Sequence, residues 1–324
     1  MVSEVTLPPH CARTDFFGAA VGDEDTSPDA ATDILRGMRV AILGLGQIGG
    51  SVGRALVAAG DSWRVVGWTR SADGRRAAAA DGLDVASSIG DACAGADLIV
   101  LAAPPLACLD LLDTLAGPAV AALAPDAVIT DVASTKALIC AHAAANGLRF
   151  VGGHPMAGRE ASGYGASDPE LFVGRPWVVT PPEPADDPAE ARVIAVATAC
   201  GAKVVHLGAA EHDAAVAAIS HLPLVVAAAL VEAIAGAPDW PVARSLAAGG
   251  WAGMTRLARG DVEMGAGILA TNGPAVADRL RDLRRVLDGW LTELDTTEPD
   301  ADRLRDRLAS ARNRLEADDA DGGR

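Results

Sequence analysis

The sequence predicts an α/β domain built on a parallel sheet, followed by an all-α domain. Three observations carry that prediction. From Met38 to about residue 208, short apolar strands alternate with amphipathic helices, the pattern of successive βαβ units. A glycine-rich turn, "GLGQIGG" at 44–50, stands directly after the first strand. Beyond about residue 209 the strand signal disappears and only helical runs remain.

Taken in order, "MRVAIL" reads as a strand, 47–59 as a helix, "RVVGW" as a strand and 73–81 as a helix. "DLIVLAA" is the next strand, then a helix over 106–116, "AVITDV" as a strand, a helix over 135–146 and "LRFVGG" as a strand. "RPWVVTP" and "KVVHLG" add two further strands around a helix over 187–200. The helical part is broken at "APDWP", "GG" and "NGP". This gives an expected flexible tail over 1–36, a first domain over 37–208, a helical domain over 209–316 and a polar tail over 317–324.

A chain of 324 residues suits two domains. Its formal charge of −16 and pI near 4.7 repel polyanions, which argues against nucleic acid or an anionic membrane as partner. An anionic small molecule needs a local cluster of Arg or His, because only Lys136 and Lys203 are lysines. The five cysteines, at 11, 93, 108, 140 and 200, form no CxxC pair and read as reduced, mostly buried thiols. No cluster has metal-ligand spacing. "MVSEVTLPPHCARTDFF" has neither the basic start nor the apolar run of a signal peptide, and "LPLVVAAALV" at 222–231 is too short to span a bilayer. A cytoplasmic protein is the expectation.

Gly44-x-Gly46-x-x-Gly49 follows a strand and opens a helix, the context a Rossmann-like dinucleotide-binding loop requires. Gln47 and Ile48 complete the loop. Where an NAD-specific site would carry a carboxylate for the ribose, this chain has Thr69 and Arg70, with Arg75 and Arg76 nearby. NAD or NADP is therefore the expected cofactor, with a lean to NADP.

Ligands of an open parallel sheet lie outside the carboxyl ends of its strands. Gly44, Thr69, Pro104, Ser134 and His154 all stand at predicted strand ends, so they share one edge if the strands are parallel. His154 is suited to take a proton during hydride transfer. Ser134 can hold it by hydrogen bonds, or can simply cap the helix over 135–146. Pro223 should bend its helix and put His221 at a kink. His212 and His221, nine residues apart, are expected on opposite helix faces. Arg256 could pair with a substrate carboxylate.

"GLGQIGGS", "DVASTK", "GGHPMAGREASG", "LFVGRPWVVTP", "EHD", "SHLP" and "MTRLA" together resemble the prephenate/arogenate dehydrogenase family of tyrosine biosynthesis, over about residues 38–290. The resemblance implies oxidative decarboxylation of prephenate to 4-hydroxyphenylpyruvate, or of arogenate to tyrosine. It also implies a helical domain that both meets the small-molecule substrate and forms a homodimer. By motif, His154 would accept the ring hydroxyl proton with support from Ser134, and Glu160 would stand at the mouth of the site. His221 and Arg256 would face the substrate carboxylates, Arg256 from the same chain or from the partner subunit. Gly152 and Gly153 would then give backbone clearance beside the ligands.

The chain departs from the family where Leu224 follows "SHLP", where Gly253 stands before "MTR", and at Met264-Gly265. The first two changes, with Thr69-Arg70, look like the NADP-linked arogenate branch. Two other classes make different demands. A β-hydroxyacid-type dehydrogenase would place a catalytic lysine in the second domain, which contains none. A non-catalytic dinucleotide sensor would keep the glycine loop without needing His154, Ser134 and Arg256 together.

Overall fold

Eight strands form one sheet in the order β3-β2-β1-β4-β5-β6-β7-β8 in this computed structural model, which describes residues 37–117, 123–158 and 161–322. The strands are β1 (Met38–Leu43), β2 (Trp63–Trp68), β3 (Asp84–Val85), β4 (Leu98–Leu101), β5 (Val128–Asp131), β6 (Phe150–Pro155), β7 (Pro176–Thr180) and β8 (Lys203–His206). Strands β1 to β6 are parallel, and β7 runs antiparallel to β6. Gly44, Thr69, Pro104, Ser134 and His154 therefore do fall along one carboxyl edge.

Helices cover both faces of the sheet, which is why its strands read as unbroken apolar runs. Val40, Ile42, Leu98 and Val100 pack with Phe172, Trp177 and the helix Asp187–Ala199 on one side. Ala41, Leu43, Ile99 and Leu101 pack on the other, with the helices Pro105–Ala116 and Ala137–Ala145. The two-residue β3 and the helix Ile89–Cys93 are absent from the sequence reading, since neither is long enough to show a period.

Helices Ala209–Val216 and Leu222–Ala235 are joined by a π turn, Ala217–His221. Pro223 has no N–H to offer the carbonyl four residues back, and the π turn absorbs that defect. The wider turn takes up one extra residue, which rotates the second helix by about 100° relative to the first. His221 is thereby brought round toward His212, and both are buried. The expectation of opposite faces assumed an unbroken α-helix and is corrected.

The joined run Ala209–Ala235 is 27 residues long with a mean hydropathy of 2.2, so it passes the length and composition test for a bilayer span that "LPLVVAAALV" alone fails. It also buries His212, Asp213 and His221 against the sheet domain, and a carboxylate is costly within a bilayer. Helices Trp240–Ser245, Gly249–Thr255, Val262–Thr271, Gly273–Leu294 and Ala301–Gly322 follow. Arg307 lies 4.0 Å over the Trp290 ring and 3.3 Å from Glu293, joining the last two. The last helix runs past residue 316, where a polar tail was expected, with Ala317 and Ala320 among the polar residues of that extension favouring helix. The tail over 1–36, with Cys11, lies outside the described residues. The other four cysteines are free thiols, and burial pushes Cys93 up to about 11 and Cys108, Cys140 and Cys200 to about 12.

Candidate active site

The glycine loop divides its work among three residues. Gly44 has φ +118°, and a Cβ there would come within 2.0 Å of the Ala102 carbonyl oxygen. A Cβ on Gly49 would come within 1.9 Å of the Gly44 carbonyl oxygen, so this glycine lets helix and loop close. Gly46 instead faces open space. It starts the helix Gln47–Ala58, whose first turn has no side-chain cap and no acidic residue. Bare amides at a helix N-terminus, with room above a glycine, suit a phosphate. Gln47 is buried, and Ile48 packs on the core.

Beside the loop lies a cavity of about 300 Å³, lined by Gly44, Gly46, Thr69, Arg70, Pro104 and Asp110 among others. The Arg75 guanidinium donates to the Thr69 and Arg70 carbonyls, at 2.6 and 3.0 Å, and so braces the loop. Arg76 pairs with Asp73 on the surface. Arg70 thus remains the arginine that lines the cavity. This donor set and this clearance fit a dinucleotide. A larger cleft of about 1240 Å³ opens at the amino end of β6, lined by Arg149, Asp186 and Glu211, away from the glycine loop. It has the wrong position and the wrong charge for that ligand.

At the other end of the edge, His154 is partly exposed, and its Nδ1 lies 2.8 Å from Nε2 of buried His212. His212 Nδ1 is in turn 2.8 Å from the Asp213 carboxylate. That carboxylate accepts the Lys136 and Ala137 amides at 2.7 and 2.9 Å, capping the helix Ala137–Ala145 from the other domain. The helix begins two residues later than expected, so Ser134 is not its cap. The Ser134 hydroxyl is buried with no hydrogen-bond partner among the described residues, as is Nε2 of His221. Asn272 holds His221 from the far side, with Nδ2 3.1 Å from His221 Nδ1 and 2.8 Å from the Asp213 carbonyl oxygen to which it donates.

Beneath His154, Lys136 and Asp131 form a fully buried ion pair. The Lys136 ammonium also donates to the Gly153 carbonyl at 2.7 Å, and Asp131 accepts the Gly153 amide at 3.1 Å. A Cβ on Gly153 would sit 2.6 Å from the Asp131 carbonyl oxygen, and one on Gly152 would touch Cys140, Lys136 and Thr180 at 3.1 Å. These glycines therefore clear neighbouring protein rather than a ligand, which corrects the expectation.

Burial, with the nearby charge of Lys136 and the rings of His212 and His221, pushes His154 well below the ordinary histidine range. Burial likewise lowers His221 to about 4, against the pull of Asp213. Burial works to raise the Asp213 carboxyl, but His212 and the two amides override it and hold it low. A histidine depressed in the folded state binds more protons unfolded, so its stabilisation is complete above its unfolded value and shrinks as pH falls. We expect unfolding midpoints in urea to decline from pH 7 toward pH 4, with His221 accounting for roughly 3 kcal/mol at the lower limit. His221→Gln should flatten the decline. Parallel profiles for both proteins would refute this assignment.

The structure thus brings together His154, Ser134 and His221 near one edge, with the loop residues Gly44 to Gly49, Thr69, Arg70 and Pro104 along it. Arg256 begins the exposed turn Arg256–Arg259, packed against the helix Leu222–Ala235. Glu160 lies outside the described residues. From the sequence alone no role falls to His212, Asp213, Lys136, Asp131 or Asn272. For the first four the signal is present in "DVASTK" and "EHD", but only as motif letters with no chemistry attached, and Asn272 lies in neither.

Residues 52–206 match the family described as prephenate dehydrogenase, nucleotide-binding domain, and residues 208–310 match its dimerization domain. The prephenate dehydrogenase of Bacillus subtilis (strain 168) is 31% identical over 262 residues, covering 79% of this chain and 68% of the relative. The crystal structure of Synechocystis arogenate dehydrogenase superposes with a TM-score of 0.71 at 32% identity, covering 86% of this chain and 100% of that one. The structure of prephenate dehydrogenase from A. aeolicus in complex with hydroxyphenyl propionate and NAD+ superposes with a TM-score of 0.77 at 27% identity, covering 86% and 98%. With a glycine cradle that fits a dinucleotide and a histidine at the same sheet edge, the chain belongs to the prephenate dehydrogenase family and is an NAD(P)-dependent dehydrogenase linked to aromatic amino acid biosynthesis.

Proposed function

We propose that the chain catalyses the NAD(P)-dependent oxidative decarboxylation of prephenate to 4-hydroxyphenylpyruvate. The observation that carries this reading is His154, held neutral at the carboxyl edge of the sheet with one ring nitrogen tied to His212. The dinucleotide, when bound, supplies the hydride acceptor. His154 accepts the proton of the ring hydroxyl, and the unpartnered Ser134 hydroxyl supports it. The free Nε2 of His221 and the Arg256 guanidinium meet the substrate carboxylates, with Glu160 at the mouth. Aromatisation of the product drives the step, so these residues orient, deprotonate and neutralise charge.

The exposed apolar side chains of the helical domain, Ile219, Leu246, Met254 and Val262 among them, are covered by a second copy in this reading. That assembly could deliver the exposed Arg256 to a partner's site. Arogenate is the second reading, favoured by Leu224, which packs toward Gly265 and supplies no polar group where the family often has histidine.

Reduction of NAD+ and of NADP+ by the purified protein, with prephenate and then arogenate, tests the proposal. Turnover of arogenate alone would select the second reading. Cofactor binding without turnover of either would favour a dinucleotide sensor. Arg70 lines the cavity and stands, in sequence, where an NAD-specific site carries its ribose carboxylate, so NADP+ should give the higher kcat/KM. Arg70→Ala should lower kcat/KM for NADP+ about tenfold and leave NAD+ nearly unchanged, as for loss of one charge-assisted contact. An equal effect on both cofactors would remove Arg70 from the discrimination.

A further inference from the structure

A histidine can act as a base only through the ring nitrogen that lacks a hydrogen. In water, neutral imidazole side chains favour the hydrogen on Nε2. That form would leave His154 with its lone pair on Nδ1, turned toward His212 and away from the sheet edge. The neighbours of His154 dictate the other form.

Asp213 is an acceptor on both oxygens. Its carboxylate is pinned by the Lys136 and Ala137 amides at 2.7 and 2.9 Å, at a helix N-terminus, and cannot turn away. Its contact with His212 Nδ1, at 2.8 Å, therefore requires the hydrogen on that nitrogen. A His212 whose one ring hydrogen points to Asp213 is left with a lone pair on Nε2, 2.8 Å from His154 Nδ1. His154 must then donate from Nδ1, which bares Nε2. The ring centroids are 5.0 Å apart, close to the 2.8 Å contact plus the two ring radii, so the bond lies near both ring planes, which cross at 75°, and the rings do not stack. The other groups facing this chain of bonds are the buried Lys136–Asp131 pair and His221, itself fixed by Asn272.

We propose that His212, oriented by Asp213, is a positioning residue that locks His154 in the Nδ1–H tautomer and so presents Nε2 as the base. This rests on the reading of His154 as the base, but its first test needs no substrate. Imidazole 15N spectra of the free protein should show His154 as the Nδ1–H form. In His212→Leu, which has no acceptor, His154 should revert to Nε2–H. In His212→Gln, whose amide oxygen can accept in place of Nε2, the Nδ1–H form should persist.

Kinetics should follow the tautomer. His212→Leu should lower kcat by about 10²- to 10⁴-fold, the range between general-base loss and loss of the tautomer-fixing group in hydrolase triads, with little change in KM. His212→Gln should recover kcat to within about tenfold of the unmodified protein. An Nε2–H form of His154 in the unmodified protein would overturn the proposal. So would a His212→Gln protein that keeps the Nδ1–H form yet loses as much kcat as His212→Leu. If His212→Leu does not fold, the unmodified protein and His212→Gln still decide the matter. Absence of turnover with prephenate and arogenate would count against the substrate reading and leave the spectra to judge the tautomer.

Discussion

His154→Asn is expected to lower kcat by about 10²-fold or more, the usual contribution of a positioned base. The side chain stands near the end of β6, its backbone paired with Val178 of β7, so the substitution removes the proposed proton acceptor without freeing the loop. Asparagine can still meet His212 through its amide, which keeps the local packing. The effect should therefore fall on kcat, with cofactor affinity and unfolding midpoint nearly unchanged. Since His154 is kept neutral well below the ordinary histidine range, the unmodified enzyme should also hold its kcat/KM as pH drops through about 6.5. An unchanged kcat in the asparagine variant would remove His154 from the chemistry.

Lys136→Met should cost about 3–5 kcal/mol of stability at pH 7, the penalty for stranding one member of a buried ion pair. Both side chains are fully buried, and the Lys136 ammonium is also the donor to the Gly153 carbonyl. Without it, Asp131 keeps two amides but loses its counter-charge inside the sheet domain. Burial already works to raise the Asp131 carboxyl, so the variant should take up a proton there and lose less stability at acid pH. Denaturant unfolding at pH 7 and pH 5 measures both effects. The double variant Asp131→Leu/Lys136→Met should regain much of the loss, because removing both charges removes the stranded one. A single variant within about 1 kcal/mol of the unmodified protein would show that the pair contributes little.

The parallel sheet and its edge were legible because each strand is a short apolar run bounded by glycine, proline or aspartate, and each intervening helix has its own period. The glycine loop was legible for a different reason: Gly44 and Gly49 stand where a Cβ would strike backbone, and that demand fixes their place in the motif. His154 could be placed because a strand end is a position that sequence order reveals. The carboxylate that caps the helix Ala137–Ala145 could not, since Asp213 lies more than seventy residues away and no local pattern links the two. The same holds for Asn272 on His221 and for Thr271, whose hydroxyl meets that of Thr135 at 2.8 Å. The facing of His212 and His221 was misjudged because a proline effect on the preceding turn changes helix phase, and phase decides which residues meet. Gly152 and Gly153 were misread because a clearance requirement looks the same in sequence whether ligand or protein fills the space.

The helix that carries Lys136 into the sheet domain has its first amides satisfied by a residue of the helical half, through the same carboxylate that steadies His212. A protein cut at the boundary near residue 208 would lose the cap from one piece and leave the carboxylate without its donors on the other. The two halves are separate in architecture yet share one electrostatic joint. On the reading of His154 as the base, readying that histidine and docking the two halves draw on the same carboxylate.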